Sequence, residues 1–351
     1  MFTKINQYCI LRHQNTLSMN KFKFYFILFS TLLVLFSCNK DDDEPTVTPL
    51  RDFDEQFKAD SINIDLYLKT HKLNPIFSSD YISNINNPNL IIKTTDESES
   101  LSKLNETTFP KLLIKKVTIA SHEMKNPYQV YYLQFREGDS AEKPCPFDEV
   151  LVTYRGTSLK SETETLLDGS QRKVVNETEF ENIPLATIIP LTPTSSNLTT
   201  ITGWKEIFPM FGKGIFDEVA TGNDPNVYNN YGTGIMFLPS GLGYYQQSPQ
   251  TNIPSYSPLV FSFQLLNFKR IDNDNDGIMT VDELAVNSEG KYADTDGDGI
   301  YDFGDFDDDN DGYPTRNEIK DADGNLIPFI DIPTCTGGNG KKRHLDSTCH
   351  N

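Results

Sequence analysis

The chain has 351 residues, which is enough for two or three domains. Hydrophobic residues make up 37% and aromatic residues 11% of it, so the chain can bury a sizeable core and is not disordered throughout. Its formal net charge of −19 argues against a nucleic-acid partner, because phosphate binding requires a basic surface. The charge is concentrated in residues 270–331, which carry 19 acidic and 4 basic side chains, whereas the other 289 residues carry a net charge of only −4.

The N-terminal region has the features of a secretion signal. A basic start at residues 19–23 precedes an apolar run over residues 24–37, which is too short for a comfortable membrane span and typical of a signal-peptide core. The run ends in Leu-Phe-Ser-Cys, which resembles a bacterial lipobox. We therefore predict a signal peptide over residues 1–37 with its true start at Met19, and lipidation of Cys38. A buried helix that ends in an incidental cysteine is the alternative.

Residues 38–49 are predicted to be an acidic tether. The acidic run directly after Cys38 resembles the surface-export signal of lipoproteins in some Gram-negative bacteria. A solvated tether without that role would leave the protein on the periplasmic face. The sequence thus predicts an outer-membrane lipoprotein, and it leaves open which side of the membrane the protein occupies.

Three cysteines remain in the mature chain, in a compartment that is oxidising. Cys335 and Cys349 are close enough in sequence to close a small loop in the tail, residues 332–351, which would leave Cys145 single. The spacing of the cysteines fits no zinc site.

Residues 50–109 are predicted to form a helix and a linker. Apolar residues at helical spacing indicate a helix over residues 54–73, and the polar composition of residues 77–108 indicates a linker or loop. The sequence does not decide whether this region packs on the following domain or serves as a dimerisation arm.

Residues 110–269 are predicted to form a mainly β domain. Alternating apolar residues indicate strands at 112–119, 129–136, 149–154, 235–238 and 259–268. Residues 201–210 indicate a short helix, which Pro209 must end or distort.

Six segments of this domain occur in the order of one known family. The segment Val-Leu-Val-Thr-Tyr-Arg-Gly-Thr at 150–157 resembles the strand and turn of peptidyl-prolyl isomerases of the FK506-binding-protein (FKBP) type. The other five are Phe-Glu at 180–181, Thr-Ile-Thr-Gly-Trp-Lys-Glu at 200–206, Pro-Ser-Gly-Leu-Gly-Tyr at 239–244, Ile-Pro at 253–254 and Leu-Val-Phe-Ser-Phe-Gln-Leu-Leu at 259–266. A single short motif would be weak, whereas the ordered set is specific.

The resemblance implies an apolar pocket that binds X-Pro segments of polypeptides and needs no cofactor for catalysis. Trp204, the only tryptophan, would form its floor, and Tyr244 would donate a hydrogen bond to a substrate carbonyl. Glu181 replaces the aspartate of the family and is expected to be a polar contact, not a proton shuttle. The implied pocket residues are Tyr154, Phe180, Glu181, Ile201, Trp204, Tyr244, Ile253 and Phe261. The alternative is that these aromatic residues are ordinary core.

The sequence also departs from the family pattern. Tyr245 stands where the family has a glycine, and Thr200 replaces an apolar residue. The 25 residues between Tyr154 and Phe180, and the Gly- and Asn-rich residues 222–234, are insertions that can reshape or cover the pocket.

The acidic segment, residues 270–331, contains repeated calcium-loop spacings. Acidic residues at loop positions one, three, five and twelve, with glycine at six, place several oxygens around one ion. The first loop would use Asp272, Asp274, Asp276, the Ile278 carbonyl and Glu283; the third would use Asp307, Asp309, Asp311, the Tyr313 carbonyl and Glu318. The second, Asp294, Asp296, Asp298, Asp302 and Asp305, resembles thrombospondin type 3 repeats. A disordered acidic tail is the alternative, and residues 321–325 are a degenerate fourth copy.

The predicted fold class is α+β: an FKBP-like antiparallel half-barrel sheet wrapped on a short helix, an N-terminal helix, and an irregular segment that binds structural Ca²⁺. The predicted function is a lipid-anchored peptidyl-prolyl isomerase that acts on X-Pro bonds of envelope or surface proteins. The alternative is a non-catalytic FKBP-fold module for peptide binding or adhesion, on a calcium-stiffened surface lipoprotein.

Overall fold

The computed structural model describes residues 49–192, 200–217, 228–288, 290–335 and 340–349. The predicted signal peptide, Cys38 and nearly all of the acidic tether lie outside the described residues. Residues Arg51–Asn351 form one compact unit. Within the described part of the chain, no helix has the length and apolar character needed to cross a membrane.

The first helix, α1, runs from Phe53 to Thr70. The Asp52 side chain accepts a hydrogen bond from the Glu55 N–H and thereby caps the first turn. The helix ends before the predicted residue 73, because His71–Leu73 form strand β1, which pairs antiparallel with β2, Ile91–Lys93. Pairing with a distant strand satisfies the backbone there, and local helical spacing carries no signal of it.

Residues 77–108 are more structured than a linker. Besides β2 they contain short 3-10 helices at Glu97–Glu99 and Leu101–Lys103. Ile85, Leu90 and Leu101 are buried together with residues of α1 and of the large sheet. The region 50–109 therefore packs on the β domain.

A six-stranded sheet, antiparallel throughout, dominates the fold. Its strands are β3 (Lys111–Val117), β4 (Tyr128–Arg136), β5 (Glu149–Thr165), β6 (Gln171–Pro190), β9 (Gly232–Leu238) and β10 (Leu259–Lys269), in the spatial order β3-β4-β9-β10-β5-β6. The short strands β7 (Ile215–Phe216) and β8 (Tyr228–Asn229) pair with each other. All five predicted strands are present, but β5 continues well beyond Tyr154 and forms a long hairpin with β6.

Both faces of this sheet are covered, and the side-chain alternation of the strands assigns each residue to one face. On the inner face, β4, β9 and β10 bury a core that includes Val130, Met236 and Phe263. On the outer face the same strands contribute Leu133, Phe237 and Val260, which belong to one buried cluster with residues of α1.

A short helix, α2 (Thr202–Ile207), packs on the inner face and continues as the 3-10 turn Phe208–Met210. Pro209 lies inside that turn, because proline lacks the N–H that a further α-helical turn would need. The Phe208 ring contacts Phe263 of β10 edge-on, with 4.9 Å between centroids. These contacts fix the helix that carries Trp204 against the sheet.

The acidic segment follows β10 and contains two one-turn helices, α3 (Thr280–Glu283) and α4 (Thr315–Glu318). Its own apolar cluster is small, with Ile278, Ile319 and Ile332 buried. Cys335 and Cys349 form a disulfide, and Cys145 is a free, buried cysteine. So small a core gives the segment little hydrophobic stability of its own.

Candidate functional site

A cleft of about 320 Å³ opens beside α2, and we call it the Trp204 cleft. It lies between β5, β6, α2 and the loop that precedes Ile253. The side chains and backbone that line it are those of Tyr154, Glu181, Ile183, Thr187, Ile188, Ile189, Thr200, Trp204, Tyr244, Pro249 and Gln250.

Trp204 is held edge-on by other aromatic rings. Its centroid is 5.4 Å from that of Tyr154 and 5.3 Å from that of Phe261, with interplanar angles of 66° and 77°. Phe180 in turn packs edge-on against Phe261, at 5.6 Å. Edge-to-face rings attract each other beyond the area they bury, so the indole at the cleft has a fixed orientation.

Two glycines make this close packing possible. A Cβ on Gly156 would lie 2.6 Å from the Phe180 ring and 2.9 Å from the Phe261 ring, and a Cβ on Gly203 would lie 2.4 Å from Leu238. Phe180 itself is at a bulge of β6, since Gly156 pairs with Glu181 and Thr157 with Glu179. Bulges re-aim side chains, and this one directs Phe180 into the inner core.

A hydrogen bond joins two of the polar groups at the cleft. The Tyr154 hydroxyl donates to Glu181 Oε2 at 2.8 Å. Burial, together with this bond and the charge of Glu181, raises the pKa of Tyr154 well above its usual value. Burial and the same carboxylate raise the pKa of Tyr244 to about 12. Both hydroxyls therefore stay protonated at neutral pH and can donate hydrogen bonds.

The structure brings together all eight residues of the predicted pocket, but in two layers. Four of them line the cleft: Tyr154, Glu181, Trp204 and Tyr244. Four are buried behind it and support the first set: Phe180, Ile201, Ile253 and Phe261. The sequence did not predict the wall formed by Ile183, Thr187, Ile188 and Ile189 of β6, nor the lining residues Pro249 and Gln250. The apolar run Ile-Pro-Leu-Ala-Thr-Ile-Ile at 183–189 is the signal that could have found the wall.

The departure at Tyr245 has a structural explanation. Tyr245 adopts the left-handed backbone conformation, with φ of +52°, which costs a non-glycine residue about 1–2 kcal/mol. Its ring stacks on Phe53 of α1 at 4.4 Å, and its hydroxyl donates to the Arg51 carbonyl at 2.5 Å. The side chain that a glycine would lack thus holds α1 in place.

Neither insertion covers the described part of the cleft. Residues 155–179 form the long hairpin of β5 and β6, whose turn exposes Leu167. Of the insertion 222–234, residues 222–227 lie outside the described residues, and residues 228–234 are not among those that line the cleft.

The three acidic loops share one backbone geometry. In each loop the N–H of the glycine at position six donates to the carboxylate at position one: Gly277 to Asp272, Gly299 to Asp294 and Gly312 to Asp307. The next residue donates to the carboxylate at position five, as Ile278 and Tyr313 do in the first and third loops. The loops are thus ordered turns, not a disordered tail.

Carboxylate oxygens converge in each loop. Within each loop, one carboxylate oxygen from each of three aspartates lies within 4.8 Å of the other two. The three sets are Asp272 with Asp274 and Asp276, Asp294 with Asp296 and Asp298, and Asp307 with Asp309 and Asp311. In the first and third loops, several of these oxygens are buried and lack a hydrogen-bond partner among the described residues, as do both oxygens of Glu283 and of Glu318. Burial and neighbouring carboxylates raise the pKa of Glu283 to about 11 and that of Glu318 to about 8.

Two predicted ligands of the second loop, Asp302 and Asp305, accept hydrogen bonds from neighbouring residues. Both carboxylate oxygens of Asp302 accept hydrogen bonds from Thr295, one from its N–H and one from its hydroxyl. Asp305 Oδ1 accepts from the Asp307 N–H. Neither residue belongs to the converging group of Asp294, so the second loop has fewer converging oxygens than the sequence pattern predicts.

A comparison with protein-family models found a match in the C-terminal part of the chain. A family model described as BamM C-terminal matches residues 269–342, which comprise the acidic segment and part of the tail. None of the curated proteins compared with the chain matches it.

Three solved structures illustrate what the chain is similar to. A peptidyl-prolyl cis-trans isomerase from Pseudomonas syringae pv. tomato is 16% identical, with a TM-score of 0.28, and the match covers 47% of this chain and 85% of that one. FkpA from Escherichia coli is 18% identical, with a TM-score of 0.27, over 73% and 75% of the two chains. The N-terminal domain of FKBP42 from Arabidopsis thaliana is 12% identical, with a TM-score of 0.27, over 40% and 86%. At such TM-scores the similarities carry no argument about activity; the chain itself is a mixed α/β protein built on a large antiparallel sheet.

Proposed function

We propose that residues 110–269 are a peptidyl-prolyl cis-trans isomerase of the FKBP type that acts on X-Pro bonds of envelope or surface proteins. The observation that carries this proposal is the Trp204 cleft, where the only tryptophan of the chain is fixed edge-on by Tyr154 and Phe261. Its volume is at the lower end of the range of small-ligand sites, which suits one prolyl ring and its neighbours.

A cleft whose floor is an aromatic ring can accelerate prolyl isomerisation without a nucleophile. Rotation about a peptide bond has a barrier of about 18–20 kcal/mol, because the bond has partial double-bond character. In the twisted transition state the resonance is lost and charge separation falls, so apolar surroundings favour the twisted amide over the planar one. Each gain of about 1.4 kcal/mol in that preference accelerates the reaction tenfold.

The residues of the cleft have distinct roles in this proposal. Trp204 contacts the prolyl ring, and Tyr244 donates a hydrogen bond to a substrate carbonyl. Glu181 accepts the hydrogen bond of Tyr154 and so keeps that hydroxyl and its ring in one orientation. Rotation about the amide requires no proton transfer, and Tyr154 and Tyr244 keep their protons at neutral pH and act as hydrogen-bond donors.

A protease-coupled assay on an X-Pro peptide tests the proposal with two matched variants. Trp204→Leu and Phe263→Leu each remove one buried aromatic ring from the inner core, but only Trp204 lines the cleft. We expect Phe263→Leu to keep most of the activity and Trp204→Leu to lose at least about tenfold, with circular dichroism confirming that both are folded. A background rate in the wild type, or equal losses in both variants, would contradict the proposal.

A non-catalytic peptide-binding module is the second candidate, and exposed apolar residues favour it. Ile188, which lines the cleft, is 63% exposed, and Leu185 on the same strand is 80% exposed. Such residues can hold an extended peptide whether or not its prolyl bond rotates. Peptide binding by the wild type at a background isomerisation rate would select this candidate.

We also propose that the acidic segment binds structural Ca²⁺. Buried carboxylate oxygens without partners carry a high electrostatic cost, and a divalent cation offsets it. Hard oxygen ligands and flexible loop geometry fit calcium better than magnesium. The first and third loops, with Glu283 and Glu318, have the larger ligand sets, and the second is the weakest.

Thermal melts of the mature chain with calcium and with chelator test this part. If each site binds with an affinity of about 10⁻⁴–10⁻³ M, 10 mM calcium adds about 1.4–2.7 kcal/mol per ion to stability. Superimposable melting curves would contradict calcium binding.

The membrane anchor and the location remain proposals from the sequence. We propose that lipidated Cys38 anchors the protein in the outer membrane, on the cell surface or at the periplasmic face. Cys38→Ala should abolish palmitate labelling and release the protein from membranes, and protease treatment of intact cells distinguishes the two faces. Labelling of the Cys38→Ala variant at wild-type level would refute the anchor.

A further inference from the structure

A fourth group of carboxylates joins the first acidic loop to the third. Oxygens of Asp276, Glu283 and Asp308 lie within 4.8 Å of one another. Asp276 and Glu283 belong to the first loop and to α3, which follows it. Asp308 comes from the third loop, where it holds position two and is none of that loop's expected ligands.

These three side chains are deeply buried and lack partners. Asp276 is 1%, Asp308 2% and Glu283 7% exposed. Both oxygens of Asp308, both of Glu283 and Oδ2 of Asp276 have no hydrogen-bond partner among the described residues. No described lysine or arginine forms an ion pair with any of the three. Five buried acceptor oxygens on three acids thus have neither a hydrogen bond nor an ion pair within the described part of the chain.

The backbone explains why Asp308 faces the first loop. Asp307, Asp309 and Asp311 converge within the third loop, so the residue between the first two of them projects to another side. The Asp308 N–H donates to Thr315 Oγ1 at 3.2 Å, which anchors this turn to α4. The first loop has Asn273 and the second Thr295 at the corresponding position, so only the third loop offers a carboxylate there.

We propose that Asp276, Glu283 and Asp308 together bind a divalent cation, and that this ion fastens the third loop to the first. The inference rests on the proposed calcium binding and extends it from separate loops to one cross-linked unit. A divalent cation supplies positive charge that offsets the three buried carboxylates, and carboxylate oxygens are its preferred ligands. Asp308 is therefore a metal ligand outside the loop pattern.

Calcium titration of the mature chain by calorimetry tests this site with two matched variants. Asp308→Asn removes the proposed ligand, whereas Asp282→Asn removes the same charge from an exposed neighbour of Glu283. We expect Asp308→Asn to bind one calcium ion fewer, or to bind it about tenfold or more weakly, and Asp282→Asn to titrate like the wild type. The melting-temperature rise on adding calcium should shrink only in Asp308→Asn.

The outcomes separate this inference from the proposal on which it rests. In chelator, Asp308→Asn should be at least as stable as the wild type, because it replaces a buried carboxyl group whose oxygens have no partner among the described residues. Calcium binding that is unchanged in Asp308→Asn would overturn the inference and leave the loop sites standing. A wild type that binds no calcium would overturn the proposed calcium function itself. Destabilisation of Asp308→Asn in chelator would show that Asp308 has another partner, and would also overturn the inference.

Discussion

Gly156 is the position where the smallest substitution should disturb the candidate active site most. It lies on β5 opposite Phe261 of β10 and Glu181 of β6, and the Phe180 and Phe261 rings pack directly on its Cα. In Gly156→Ala, the new Cβ would meet those rings at 2.6 Å and 2.9 Å, distances that real Cβ atoms essentially never show. One of the two rings must move.

The size of the effect follows from how little room the rings have. Phe180 is 9% and Phe261 1% exposed, and Phe261 also contacts Tyr154 and Trp204. Neither ring can move into solvent, so the added methyl overpacks the core, which costs about 1–3 kcal/mol. Displacement of Phe261 also shifts the indole of Trp204, so isomerase activity should fall more than the melting temperature suggests.

Denaturant unfolding measures the loss of unfolding free energy in Gly156→Ala. Saturating calcium is added so that the acidic segment is in the same state in every variant. Gly304→Ala is the matched control, because its Cβ would have only ordinary contacts, at 3.8 Å and 3.9 Å. We expect Gly156→Ala to unfold at lower denaturant and Gly304→Ala to differ from the wild type by less than about 0.5 kcal/mol. Equal stability and activity in Gly156→Ala and the wild type would refute the packing around Trp204.

Three further predictions concern the hydrogen bonds and charges of the fold. Tyr154→Phe keeps the ring but loses the bond to Glu181; it should cost about 0.5–1.5 kcal/mol in unfolding experiments and lower the isomerase rate with little change in substrate affinity. Asp60→Ala leaves the buried Ser240 N–H and hydroxyl without their acceptor, so limited proteolysis should cleave α1 faster than in the wild type, and an unchanged cleavage rate would contradict this anchor. In chelator, the melting temperature should fall as pH rises from 6 to 9. The pKa of Glu283 is raised from 4.5 to about 11 in the folded state, so the folded protein keeps a proton that the unfolded chain has lost above about pH 4.5. Raising the pH therefore favours the unfolded chain. Saturating calcium should remove most of that slope, and a melting temperature that rises with pH in chelator would contradict it.

The four predicted residues that line the Trp204 cleft could be identified from the sequence because they belong to short, local patterns. A strand–turn segment brings Tyr154 to the sheet, and the helix that begins after Ile201 brings Trp204 over it. The strands around them alternate, and the structure follows that alternation. Motif order alone could not separate the residues that line the cleft from those that support it, because that division depends on the bulge at Phe180.

Features that depend on contacts between distant residues could not be predicted from the sequence. Residues 77–108 read as a linker since Ile85, Leu90 and Leu101 are isolated in polar sequence, yet each is buried against the outer face. Asp308 was not predicted as a metal ligand, because the loop pattern assigns ligands within one loop. Its approach to Glu283 exists only after the first and third loops pack together.

The central claim is catalysis at the Trp204 cleft, and exchange spectroscopy on an X-Pro peptide tests it most directly. Uncatalysed isomerisation takes tens to hundreds of seconds, so cross-peaks between cis and trans signals at sub-second mixing times require a catalyst. We predict such cross-peaks with a small amount of the wild type and with Phe263→Leu, and their loss with Trp204→Leu. Folded wild-type protein that gives no cross-peaks, or Trp204→Leu that gives them at full intensity, would contradict the claim.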